Sequence, residues 1–92
     1  MYSIRPPAIA GTFYPLPKQI LENEVMAMLD GAKPGSRILA PKAIIVPHAG
    51  YIYSGPVAAA AYARLSAGRK TIRRVVMLGP VHRVPVRGLA LP

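Results

Sequence analysis

Pro47-His48-Ala49-Gly50-Tyr51-Ile52-Tyr53-Ser54-Gly55 is the stretch on which the reading of this chain turns. It follows a short apolar run, Ala43-Ile44-Ile45-Val46, and precedes an alanine-rich run from Val57 to Leu65. The order predicts a buried strand, a polar loop and a helix. A histidine, two tyrosines, a serine and two glycines share the loop, so backbone freedom and proton-handling groups meet where a strand is expected to end. In open α/β sheets the carboxyl ends of strands are where ligands bind.

Working downstream, Gly68 is placed to end the helix, and Arg74-Val75-Val76-Met77-Leu78 reads as a second buried strand by its β-branched content. Neither run alternates apolar and polar residues, which suits parallel strands covered on both faces. Residues 42–78 therefore read as a βαβ unit with a right-handed crossover. Ser54 is expected to cap the helix, with Pro56 in its first turn and Val57, Ala58, Ala61, Tyr62 and Leu65 as its apolar face. Val84 to Leu91 could start a third strand, limited by Pro85 and Gly88.

Upstream, Ile20, Leu21, Val25, Met28 and Leu29 follow a 3.6-residue period, which predicts a helix over 17–30. Glu22 and Glu24 are expected near the positive end of its dipole, and Gly31 is a natural stop. Residues 33–36 read as a turn. Residues 1–16, with Pro6, Pro7 and Pro15, read as an ordered extended arm. The fold class expected is thus α/β, a mostly parallel sheet containing the βαβ unit. It reads as incomplete, because the apolar pattern runs to Pro92 without a closing helix. On this reading the chain is the N-terminal part of one domain, and a C-terminal portion or an oligomeric partner completes the sheet.

Composition narrows the function. Ninety-two residues suffice for one small domain, and hydrophobic residues make up 52%. No apolar run approaches the roughly 18–20 residues of a membrane span, so no membrane is expected. The N-terminus lacks the apolar core of a secretory signal, and the chain has no cysteine, so a cytoplasmic location is expected. Twelve Lys and Arg against three acids give a formal charge of +9. Arg64, Arg69, Lys70, Arg73 and Arg74 gather near the expected end of the alanine-rich helix. Cations there complement the helix dipole, and nucleic-acid binding is disfavoured on that ground.

The two histidines, His48 and His82, each follow an expected strand. Parallel neighbouring strands lie about 4.8 Å apart and end on one side, so both imidazoles are expected to enter one crevice. Two imidazoles can share a metal ion or divide acid and base roles. A hydrogen-bonded loop role for each remains the alternative. A metal site usually needs a third protein ligand, and the three acids, Glu22, Glu24 and Asp30, all fall in the first helix. The third ligand is therefore expected outside this chain. Tyr51 and Tyr53 could donate to a substrate or carry its proton, with packing as the alternative. The helix start near Ser54 and Gly55 offers backbone N–H groups to an anionic ligand.

Ala10-Gly11-Thr12-Phe13-Tyr14-Pro15, the block 47–55 and Leu78-Gly79-Pro80-Val81-His82 together resemble the Memo family, known in prokaryotes as AmmeMemoRadiSam system protein B. The resemblance spans the whole chain but only about the N-terminal third of the family's domain. It implies a fold similar to class III extradiol dioxygenases, which hold non-haem iron with two histidines and a carboxylate. It also implies that His48 and His82 are metal ligands, completed by a later cysteine, and that Phe13 lines the pocket. The metal implied is iron or copper, with zinc a further candidate. Val81 stands where the family usually has a small polar residue.

The function expected is a metal-binding, dioxygenase-like protein with a redox role, acting on a small molecule or peptide. The candidate residues are His48 and His82 for the metal, Tyr51 and Tyr53 for catalysis, and Phe13, Ser54 and Gly55 for substrate. The rival is a non-catalytic module that binds phosphorylated or acidic peptides.

Overall fold

The computed structural model describes residues 3–32 and 39–91. Two helices and a short 3-10 segment are its regular elements: α1, Lys18–Ala32, α2, Tyr51–Tyr62, and the 3-10 stretch Ala63–Gly68, which follows α2 directly. The turn expected over 33–36 lies outside the described residues.

Helix α1 forms where the apolar period runs. Leu21, Val25, Met28 and Leu29 are partly buried, whereas Ile20 lies at the edge of the face and is largely exposed. The helix passes through Gly31 to Ala32. Its first turn holds no acid, so Glu22 and Glu24 sit beyond the reach expected for the dipole.

Helix α2 starts earlier than its sequence suggests. Gly50 is the N-cap, with no side-chain cap bond, and Pro56 lies inside the helix. Ser54 is therefore not the cap. Its hydroxyl donates back to the Ala49 carbonyl at 2.7 Å and to the Gly50 carbonyl at 3.2 Å, and the side chain is buried. The buried face is also turned from the one expected. Gly55, Ala59 and Ala63 are buried at intervals of four, which places them on one side of a helix. These small residues let α1 come close: a Cβ on Gly55 would stand 2.5 Å from the Met28 sulfur. The far end is equally tight, since a Cβ on Gly68 would lie 2.9 Å from the Cβ of Ala40. Thr71 and Ile72 close that end by donating their backbone N–H to the Gly68 carbonyl, each at 2.8 Å.

The expected α/β sheet is not present. Among the described residues there is no strand, and the one β-type contact is an isolated bridge between Ala10 and Tyr14. The βαβ unit over 42–78 is therefore corrected to a single helix flanked by irregular chain, and neither a parallel sheet nor a dioxygenase-like sheet fold describes this structure. Of the runs read as buried strands, 74–78 is exposed throughout, with Val76 at 87%, and 43–46 is split, with Ile45 at 99% exposed and Ile44 and Val46 partly buried. The third strand expected in 84–91 is absent too. β-branched content states only that a segment suits a pleated, half-buried surface. A strand also needs a second chain segment for its hydrogen bonds, and these runs have none among the described residues.

Burial is correspondingly thin. The accessible surface is 8916 Å², against about 5,200 Å² expected for a folded monomer of this mass. The buried apolar side chains among the described residues are Ala59 and Ala63, at the α1–α2 contact and just beyond it.

Candidate functional site

The arm and the 47–55 block are joined by backbone. Residues 9–14 fold into a tight turn rather than an extended arm: Thr12 and Phe13 N–H both donate to the Ile9 carbonyl, and Gly11 N–H donates to Tyr14. Gly11 carries the turn with a φ of +85°, a region that favours glycine. The Phe13 carbonyl then accepts from the Tyr51 N–H at 2.8 Å, which ties this turn to the first residue of α2. The bond satisfies one of the backbone donors left open at a helix start. It also seats Tyr14 against Tyr51, with ring centroids 5.6 Å apart.

The two histidines come together. Their ring centroids are 5.4 Å apart with planes at 41°. The route differs from the one expected, because neither residue ends a strand. His48 precedes α2 in irregular chain, and His82 reaches it from the irregular segment after residue 72. Both side chains are exposed. The separation suits two chemistries. It falls within the roughly 4.5–7 Å range of ordinary aromatic pairs. It also suits two imidazoles sharing one ion, since metal–nitrogen bonds of about 2.0–2.1 Å put the ring centres roughly 5 Å apart. Among the described residues no group of three or more His, Cys, Asp or Glu could hold a metal. The pair thus brings two imidazoles together with no third such ligand beside them among the described residues.

The remaining candidates fall in different places. Tyr53 is 81% exposed, Tyr51 is partly buried, and both line a cavity of about 410 Å³. Phe13 lines the same cavity, with Gly11, Thr12, Tyr14, Pro15, Glu24, Gly50 and Ile52. Ser54 and Gly55 are not among its walls. The Ser54 hydroxyl is committed to the loop carbonyls, and Gly55 faces Met28. The histidines do not line it either, so the metal candidates and the cavity are neighbours through the 48–51 backbone rather than one chamber. Tyr14 and Glu24 were not singled out by sequence reasoning. Tyr14 adjoins Phe13 in the arm motif and could have been found there. Glu24 reads as an ordinary helix-surface acid until the arm turn is placed over it.

Comparison with known proteins follows the same residues. A family model described as Memo-like protein matches residues 5–91. Proteins named MEMO1 family protein are similar over most of the chain. That of Aquifex aeolicus is 52% identical over 79 residues, covering 86% of this chain and 27% of its own length. That of Methanococcoides burtonii is 42% identical over 81 residues, with 86% and 28% covered. That of Thermotoga maritima is 40% identical over 88 residues, with 85% and 31% covered. The chain therefore spans less than a third of the curated relatives it matches. No solved structure matches. Among the described residues no helix is long and apolar enough to cross a membrane.

Proposed function

The chain belongs to the Memo family, and on that premise we propose that it supplies two imidazole ligands to a divalent metal ion in a protein with redox function. The observation that supports this most is the 5.4 Å approach of His48 and His82, two residues 34 positions apart in sequence and the only histidines of the chain. Iron or copper is the ion proposed, with zinc as a further candidate, since imidazole suits all three. A bound ion of this kind would supply Lewis-acid or electron-transfer chemistry. His48 and His82 would hold it by neutral ring nitrogens. Further ligands, among them the later cysteine the family resemblance implies, would come from sequence outside these 92 residues. A role like that of non-haem-iron dioxygenases is part of this proposal, on the side of chemistry rather than fold.

Tyr53, exposed at the start of α2, is the residue best placed to donate to a substrate or carry its proton. Tyr51 shares the cavity but is held by the arm on its backbone side. A second reading is a non-catalytic module that holds an acidic or phosphorylated peptide at the start of α2, where the positive end of the helix dipole lies beside His48. Metal analysis of the protein purified without chelator, together with dioxygen consumption, separates the two. Stoichiometric iron or copper with oxygen uptake supports the first. Metal-free protein that binds a phosphopeptide and consumes no oxygen supports the second.

A further inference from the structure

We propose that the cavity between the arm turn, α1 and the start of α2 binds an organic ammonium group, with Glu24 as its counter-charge and Phe13, Tyr14, Tyr51 and Tyr53 as its aromatic walls. The inference stands on this cavity alone and does not depend on metal at the histidines.

The walls carry the first part of the argument. Four of the chain's six Phe and Tyr residues line one cavity of about 410 Å³. Such faces attract a cation through the ring quadrupole, and cages of this type take quaternary and alkylated ammonium groups. The volume falls at the small end of the range of small-ligand sites. Two rings, Tyr14 and Tyr51, are held in place by their mutual contact and by the bond from Tyr51 N–H to the Phe13 carbonyl.

Charge carries the second part. Glu24 is the one ionisable carboxyl of the lining, and it is partly buried. Among the described residues its carboxylate makes no hydrogen bond: the side-chain bonds are Gln19 to Asn23, Ser54 to its loop, and Thr71 to Gly68. A partly buried carboxylate gains from a cation beside it. The first turn of α2 offers it a partial positive charge of roughly half an electron, which leaves the rest unanswered. The chain is strongly basic as a whole, yet all three of its acids lie in α1, so the cavity borders its acidic element.

Two probes of equal shape test this: choline, and its neutral carbon isostere 3,3-dimethylbutan-1-ol, each titrated into the chain and followed by NMR shifts of Tyr51, Tyr53 and Glu24. A capped trimethyllysine peptide forms a third arm, which tells a free small ammonium from a protein side chain. The expected result is saturable binding of choline or the peptide at these resonances, at least about tenfold tighter than the isostere. Glu24→Gln should remove that preference with the helical circular dichroism unchanged, and Tyr53→Leu, at an exposed ring, should weaken binding several-fold. Equal binding of the isostere, no binding by any probe, or a Glu24→Gln variant that keeps its preference would overturn the proposal.

Discussion

The α1–α2 pair and the irregular runs on either side of α2 share an apolar composition but not a fate. In the pair, Gly55 lets Met28 of α1 come close, and Ala59 and Ala63 are buried one and two turns further on. In the runs 43–46 and 74–78, Ile45, Val75, Val76, Met77 and Leu78 are of equal or greater hydrophobicity and stand exposed. The difference is one of hydrogen bonds. A helix satisfies its backbone within itself and needs a neighbour only for one face. A β-run needs another segment for both backbone and faces, and these runs have no such segment among the described residues.

The sharpest way to break this comparison is to charge the centre of the pair. Ala59→Asp puts a carboxylate at a buried position of α2 and should cost about 3 kcal/mol or more, enough to abolish the helical circular dichroism. Retained helicity would mean the α1–α2 contact does not hold the pair together. Gly68→Ala comes next. Its new Cβ meets Ala40, which has no flexible end to move aside, so a loss of about 1–3 kcal/mol in a urea titration is expected. Gly55→Ala should cost less, because the Met28 thioether it meets can rotate away.

Ser54→Ala removes a buried hydroxyl that donates to two loop carbonyls, and should cost about 1 kcal/mol. If the same substitution also weakened ligand binding at the cavity, Ser54 would have a substrate role that its present bonds do not suggest. The smallest effect is expected in the runs. Ile45→Ser and Val76→Ser should change stability by no more than about 0.5 kcal/mol, as exposed positions do. A loss above about 1 kcal/mol for either would show that the run is packed in solution and would erase the contrast drawn above.

The same contrast explains what could be read from the sequence. The period of Leu21, Val25, Met28 and Leu29 is local, and α1 appeared where it ran. The alanine-rich helix was legible, but its start was misplaced by three residues or more. Ser54 and Pro56 look like a cap and a first turn, while the structure uses Gly50 and a backbone bond to Phe13 instead. That bond joins residues 38 apart and leaves no local signal. The expected sheet does not form because β-branched runs announce a suitability, not a partner. Of the candidate residues, His48 and His82 lie with ring centroids 5.4 Å apart, although no strand brings them there. Tyr14 is legible beside Phe13 in the arm motif, whereas Glu24 joins the cavity only once the arm turn lies against α1.

The central claim is that His48 and His82 share one ion. Copper(II) titrated into the protein and read by electron paramagnetic resonance tests it directly, because coupling counts the nitrogen donors. Two imidazole nitrogens are expected in the parent chain and one in each of His48→Ala and His82→Ala, and on acidification the nitrogen coupling should disappear as protons displace the ion. A coupling pattern unchanged in either variant would contradict it.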